Sequence, residues 1–366
     1  MLDAPALPPP AVVAPAPREV SFGLVAGSAP AGTRRVIVRI GERVLADLPL
    51  RGRRFSLRVE LPLREVAVRV TAVTTAGRRS SSVVRHVVGL PSVASPRAFA
   101  PRLHPGLARS VRTLTRSFPG TSAVYVEDLA SGYGAAWNAR ARFPAASTLK
   151  LAIAVAVLCA EQGKPASGGE AESLLHAMLV HSDNESANRL LARIGGSWRV
   201  EELLRALELR DSLMYGGYEV EKDVRRPSAR APIPIRVESQ PRFGVGKYSS
   251  AWDLARLARA VYLAAAGRGP LPRLGVARAE ARHLLWLLAG VGDGGKLGRF
   301  LGSSATLLHK AGWLATARHD NGLVVWNGGV FVAAVLTWSP GGVGTASDVL
   351  AGRVAQTARD VFHGLG

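Results

Sequence analysis

The stretch that decides the reading of this chain is Phe143-Pro144-Ala145-Ala146-Ser147-Thr148-Leu149-Lys150-Leu151-Ala152-Ile153-Ala154-Val155-Ala156-Val157-Leu158. An apolar run follows a serine and reads as a helix buried on all sides. It falls short of the roughly 18 residues that a membrane helix needs. Ser147 and Lys150, at i and i+3, share one face of that helix. A free hydroxyl is a poor nucleophile and needs a base beside it. Lysine serves as that base only when burial or a neighbouring cation lowers its pKa, and the apolar helix offers burial. The helix N-terminus adds N–H groups and a positive dipole end near an attacked carbonyl. Taken alone, Ser-x-x-Lys arises often by chance, and an N-cap serine beside a surface lysine explains it equally well.

Two further strings change that balance. Ser182-Asp183-Asn184 stands between two helical stretches, thirty-five residues after Ser147. Its serine suits proton relay to a leaving nitrogen and its asparagine suits holding an amide; the plain alternative is a helix cap. His309-Lys310-Ala311-Gly312 lies on a late strand. A lysine there sits across a cleft from Ser147, and the glycine lets a substrate backbone approach the strand edge. The plain alternative is a strand lysine before a turn.

Order, spacing and context together resemble the class A β-lactamases and related penicillin-binding proteins, over about residues 103–366. Tyr248-Ser249-Ser250-Ala251-Trp252-Asp253-Leu254 is similar to the Thr-Thr-Pro-x-Asp-Leu stretch that opens a helix in that family, and His319-Asp320-Asn321-Gly322 to a turn before its penultimate strand. The resemblance implies that Ser147 attacks a lactam carbonyl and becomes acylated. It implies an oxyanion hole from the N–H groups of Ser147 and Trp313, the residue after Gly312. Lys150 takes the serine proton, Ser182 and Lys310 shuttle it and attract a carboxylate, and Asn184 orients the acyl amide. Two departures stand out. Lys-Thr-Gly reads Lys-Ala-Gly, so Ala311 offers no hydroxyl to a carboxylate. The family's deacylating Glu-x-x-Leu-Asn string is missing; Glu219 is nearest in position, followed by Glu221 and Glu238, and the segment from Asp211 to Lys247 is long and rich in Pro and Arg.

The expected fold class is therefore α+β: a β-lactamase/transpeptidase-like antiparallel sheet with flanking helices and a helical subdomain. A helix is expected over 105–118, strands over Ala123–Glu127 and Gly134–Asn138, helices over 147–200 and from a capping box at Ser250 and Asp253. Late strands are expected at Thr306–His309, Gly322–Trp326 and Val330–Trp338, with a closing helix over Ser347–Phe362. Ahead of this lie a Pro/Ala-rich tail (1–17) expected to be disordered, a segment (18–90) and a Pro-containing linker (91–102). In the middle segment Phe55, Leu57, Val59 and Leu61 alternate with polar residues, as do Val66, Val68 and Val70. Period-two patterning with regular turn signals predicts an all-β, immunoglobulin-like sandwich acting as spacer or binding module.

Composition bounds the rest. The 366 residues carry a net charge of +20, and arginine supplies 41 of the 47 cations. An anionic cell-wall polymer is a partner that such a surface fits, against the plainer reading of a bias toward arginine; no nucleic-acid module is visible. Cys159, the single cysteine, lies among Ala, Val and Leu and reads as a packing residue. His176 and His181, five apart, are poorly spaced for joint metal binding, so no metal or other cofactor is expected. The expected substrate is a small β-lactam or a peptidoglycan-like peptide, handled by a monomer without a transmembrane segment. The family works outside the cytoplasm, yet Met1–Pro10 lacks the charged start and apolar core of a signal peptide. A missing or mis-set start, another export route and an internal location all stay open.

Overall fold

Period-two alternation builds the N-terminal part of the chain. The computed structural model describes residues 6–217 and 233–365, in two units, Met1–Ser95 and Pro96–Gly366. The first unit holds strands β1 (Ala11–Ala14), β2 (Glu19–Ser21), β3 (Leu24–Ser28), β4 (Thr33–Ile40), β5 (Arg43–Pro49), β6 (Arg54–Arg58), β7 (Glu65–Thr74) and β8 (Arg79–Gly89). They form a three-stranded sheet in the order β1-β3-β6 and a five-stranded sheet in the order β2-β8-β7-β4-β5. Val36, Val38, Val66, Val68, Val70 and Ala72 point from the larger sheet into one core with Val25 and Phe55 of the smaller. Their neighbours in sequence stand on the opposite face, because successive strand side chains alternate.

The expected disorder of residues 1–17 does not hold for their second half. Strand β1 pairs with β3 at Ala11↔Ser28 and Val12↔Gly27, and the hydroxyls of Ser80 and Ser82 donate to the carbonyls of Pro8 (2.7 Å) and Pro10 (2.5 Å). Proline lacks a donor but keeps its acceptor, so Pro-rich chain can be held through its carbonyls. Gly27 makes the pairing possible: a Cβ there would lie 2.1 Å from the Ala11 carbonyl oxygen.

The second unit holds β9 (Arg102–Leu103), α1 (Pro105–Arg116), β10 (Thr121–Asp128), β11 (Tyr133–Trp137), β12 (Phe143–Pro144), α2 (Lys150–Glu161), α3 (Glu170–Val180), α4 (Asn184–Arg193) and α5 (Trp198–Ala206). After these come β13 (Tyr248–Ser249), α6 (Ala251–Ala264), α7 (Arg278–Ala289), β14 (Ala305–Leu314), β15 (Ala317–Trp326), β16 (Gly329–Trp338) and α8 (Gly344–His363). A six-stranded sheet runs β14-β15-β16-β10-β11-β9. On one face Val124 and Val126 of β10 share a core with Leu107 and Val111 of α1 and with Leu350 and Val354 of α8. On the other, Tyr125 meets Trp252 of α6 edge to face, ring centroids 5.0 Å apart. Helices α2 to α5 form a separate block, in which α2 is buried from Lys150 to Leu158. The fold is thus mixed α+β. No helix among the described residues is long and apolar enough to cross a membrane.

Three local expectations need correction. The end of the proposed linker is not free: Arg102 and Leu103 pair with β11, and Arg259 donates to the Phe99 carbonyl (2.7 Å). At the start of α6, Ser250 does cap the Asp253 N–H (3.1 Å). The Asp253 carboxylate, however, accepts from the Asp211 N–H and the Ser212 hydroxyl, both at 2.8 Å, rather than completing a capping box. His319-Asp320-Asn321-Gly322 is no turn but the middle of β15. The turn falls at Ala315-Thr316, and Gly322 is needed inside the strand, where a Cβ would lie 2.5 Å from the His309 Cα.

The seat of β1 is open to test. Gly27→Val should expel β1 and cost the N-terminal unit about 1–3 kcal/mol, the usual cost of overpacking. Amide hydrogen exchange at Val12 and Ala14 should accelerate accordingly; unchanged exchange would show that the seat does not depend on Gly27.

Candidate active site

Two buried lysines converge on one serine. Lys150 has no exposed surface and Lys310 almost none. The Lys150 ammonium donates to the Ser182 carbonyl (2.5 Å), the Asn184 Oδ1 (2.7 Å) and, more distantly, the Ser182 Oγ (3.4 Å). The Lys310 ammonium donates to the same Ser182 Oγ (3.0 Å) and to the Ala311 carbonyl (3.1 Å). Burial, reinforced by the Lys310 charge and opposed by Asp183, pulls Lys150 down to about 7. Burial likewise brings Lys310 down to about 8, against the attraction of Asp320 and Asp293.

The loop between α3 and α4 makes this convergence possible. Asp183, not Ser182, caps α4, accepting from the Ser186 N–H at 2.6 Å. A hydrogen bond from the Ser186 side chain, together with that from its N–H, holds the Asp183 carboxyl below the usual range. Ser182 and Asn184 are thereby released from capping. Ser182 takes a left-handed backbone, φ 60°, which turns both its carbonyl and its hydroxyl to Lys150. A non-glycine residue in that conformation costs about 1–3 kcal/mol and survives only where its surroundings enforce it.

Ser147 stands in a tight turn just ahead of α2, following Ala146 at φ 50°. The turn closes through Thr148 N–H to the Ala145 carbonyl (3.1 Å) and Lys150 N–H to the Ser147 carbonyl (3.2 Å). Its base is fixed by β12, paired with β13, and by His319, whose Nε2 lies 2.7 Å from the Pro144 carbonyl oxygen. His319 receives the Thr337 N–H at its Nδ1 (3.3 Å). Burial lowers its pKa to about 4, so it is neutral near pH 7, with its proton on Nε2 donated to Pro144.

Strand β14, an outer strand of its sheet, closes against this turn. A Cβ on Gly312 would lie 2.7 Å from the Ser147 N and 3.0 Å from the Thr148 N. Any side chain there would push the strand and the Ser147 turn apart. The two-residue hairpin loop makes Leu314↔Ala317 the closing hydrogen-bonded pair. Pairs then alternate, and Trp313↔Arg318 is a non-bonded pair, which directs the Trp313 N–H away from β15 to the open edge. Trp313 is 69% exposed. Ala311 is buried beside it.

The structure therefore brings Lys150, Ser182, Asn184 and Lys310 into one network and sets Ser147 and Gly312 in backbone contact, with Trp313 on the adjoining edge. Glu219 and Glu221 lie outside the described residues. Glu238 is exposed, and its backbone N–H is tied to Asn138 Oδ1 at 2.7 Å. His176 and His181 face each other, ring centroids 5.3 Å apart. Among the described residues no three His, Cys, Asp or Glu are grouped to hold a metal. The thiol of Cys159, partly buried, is pushed up to about 11 by burial.

The sequence reading missed the support behind Lys310. Asn321 donates to the Lys310 carbonyl (2.8 Å), while Asp320 accepts from the Leu297 N–H (3.1 Å) and lies 2.7 Å from His309 Nδ1. The available signal was a polar run, His319-Asp320-Asn321, in a strand otherwise rich in Val and Leu.

A profile described as the β-lactamase enzyme family matches residues 106–170 and 162–362. A β-lactamase of Streptomyces lavendulae is 30% identical over 150 residues, covering 33% of this chain and 49% of that protein. The chain thus spans about half the length of that curated relative. Among solved structures, PBP-A aligns over 73% of this chain and 100% of its own, with 20% identity and a TM-score of 0.56. A β-lactamase from Sphaerobacter thermophilus aligns over 71% of this chain and 98% of its own, with 20% identity and a TM-score of 0.52. At such identities the likeness speaks for the fold of the second unit, while the extent of the profile match speaks for descent: this chain belongs to the β-lactamase enzyme family.

Proposed function

We propose that the second unit is a serine hydrolase of class A β-lactamase type, which opens β-lactam amides through an acyl-enzyme on Ser147. The observation that carries this reading is the hydrogen-bond network of Lys150, Ser182, Asn184 and Lys310 one helical turn from Ser147. A neutral amine has two N–H donors. The short contacts from Lys150 to the Ser182 carbonyl and Asn184 Oδ1 hold the amine in place, and once deprotonated it accepts the Ser147 proton. The Ser182 oxygen accepts from the Lys310 ammonium, and its own proton passes to the leaving nitrogen. The N–H groups of Ser147 and Trp313 stabilise the oxyanion. Support for acylation as a chemistry of this fold comes from a PBP-A variant solved as its penicillin G acyl-enzyme, 20% identical to this chain with a TM-score of 0.55.

One observation favours a second reading, a penicillin-binding D-alanyl-D-alanine peptidase or esterase with slow deacylation. Ala311 replaces a hydroxyl that would clamp a carboxylate, and Glu219 is the candidate to activate water by its position in the sequence alone. A catalytically weak cell-wall-binding protein is the remaining alternative. We further infer that residues 18–90 act as an immunoglobulin-like spacer or binding module and that the protein works as a monomer outside the cytoplasm.

A fluorescent penicillin separates these readings. Covalent labelling that disappears in Ser147→Ala is expected; labelling of both proteins alike, or of neither, refutes an acyl-enzyme at Ser147. Continued nitrocefin turnover after one equivalent is the β-lactamase outcome, and a stoichiometric burst without turnover is the penicillin-binding one.

The two lysines fix the pH dependence. Lys150 is a base only once deprotonated, so acylation should rise as pH climbs through about 7. Lys310 attracts anions only while protonated, so the rate should fall above about 8. Acylation rates of the labelled penicillin across pH 5–10 should thus trace a bell, and a flat profile would contradict these roles. Ala311→Thr should tighten binding of carboxylate-bearing lactams about ten- to hundredfold, the worth of one hydrogen bond to a charged group. The measurement is KM, with a neutral ester as control.

A further inference from the structure

One sheet face of the first unit sets arginines opposite one another. Residues 1–95 contain 14 arginines, no lysine and six acidic residues. Several of the arginines hold the fold: Arg53 and Arg58 donate to the carbonyls of Ala29 and Phe22, and Arg34 to the Thr75 hydroxyl. The face of the five-stranded sheet turned away from the core is different. Its register sets Arg39 of β4 directly opposite Arg69 of β7, flanked by Val44 of β5 and Val83 of β8. Two residues along, Ile37 and Thr71 are partners, and Thr71 bonds the Ser81 hydroxyl at 2.8 Å. Two further along, Arg35 pairs with Val73, whose other neighbour is Arg79.

Of these four guanidinium groups only Arg35 has a carboxylate, Asp47 at 3.2 Å. Among the described residues Arg39, Arg69 and Arg79 have no ion-pair partner. Like charges directly opposite on a sheet disfavour folding, so the Arg39–Arg69 pair is kept at a cost rather than for stability. The two arginine rows stand about 13 Å apart along the strands, at the usual rise per residue.

We propose that this face binds a flexible phosphodiester polymer, the polyol-phosphate type of anionic wall polymer. Guanidinium pairs with phosphate in a two-point geometry, and repeated phosphates can reach both rows. The hydroxyls of Thr71 and Ser81 lie between the rows and suit polyol groups. No aromatic residue occurs at these positions to stack bases, and a sheet face offers no helix or ribbon to enter a groove, which disfavours nucleic acid. The proposal rests on reading the first unit as a binding module and is independent of the chemistry at Ser147.

The test uses the full chain and fluorescent poly(glycerol phosphate). Arg39→Ser/Arg69→Ser/Arg79→Ser is compared with Arg109→Ser/Arg205→Ser/Arg273→Ser, which removes the same charge from exposed positions of the second unit. The face variant should bind at least about tenfold more weakly, with the salt slope reduced by about 2, as three lost phosphate contacts predict. The control should stay within about threefold of the parent. Penicillin labelling of Ser147 should be alike in all three, so failure of binding and failure of acylation read out separately. Removing like charges should leave the melting temperature unchanged or raised; should the triple variant fail to fold, Arg69→Ser alone should weaken binding about threefold. Equal losses in both triple variants, no binding by the parent, or tighter binding to random-sequence duplex DNA would each overturn the proposal.

Discussion

Two ammonium groups that share one serine oxygen set the terms for the second unit. Buried like charges repel, and each group has also left water. The strain is relieved in part by carbonyl and amide acceptors on Ser182, Asn184 and Ala311, and otherwise by loss of a proton. Lys150, pulled lower than Lys310, yields it first. Three distant segments must hold register for this to work: the head of α2, the loop into α4 and the edge strand β14. The left-handed backbone at Ser182 and the bare Cα at Gly312 follow from that requirement rather than from local preference.

The scaffold meets the requirement with buried polar ties instead of apolar packing alone. Neutral His319 links β15 and β16 to Pro144, and Asn321 and Asp320 steady β14 and the chain at Leu297. Directional bonds of this kind fix distances that apolar contacts leave soft.

Most of the architecture was legible from patterning. Period-two runs such as Val66-Val68-Val70 announced strands, and the apolar run after Lys150 announced a helix buried on all sides. Errors fell where two physical readings share a signal. Asp253 looked like a capping-box carboxylate because its spacing from Ser250 is right; only the fold reveals that Asp211 and Ser212 compete for it. His319-Asp320-Asn321-Gly322 has turn composition, but those polar residues are strand positions with partners far away in sequence. The Pro-rich start looked structureless because proline removes donors; its acceptors were still available to Ser80 and Ser82. At the candidate site Ser147, Lys150, Ser182, Asn184 and Lys310 were legible as motifs. Their supports, His319 and Asn321, were not, because nothing in a linear string shows which carbonyl a side chain will meet.

The segment that sequence left most open, from Asp211 to Lys247, is constrained at both roots. At one end Asp211 pairs with Arg140 at 2.5 Å and gives its N–H to Asp253, while Leu213 bridges to Tyr248. At the other, Asn138 binds the backbone at Glu238 and Ser239, and Gln240 receives the Arg142 N–H at 2.9 Å. The Ala145 N–H then reaches the Lys247 carbonyl at 3.0 Å, two residues from Ser147. Asp253, raised to about 7 by burial and by the Asp211 charge, stays tied to one root through two hydrogen bonds. Both roots of the segment are therefore tied by hydrogen bonds to the frame that holds the turn at Ser147.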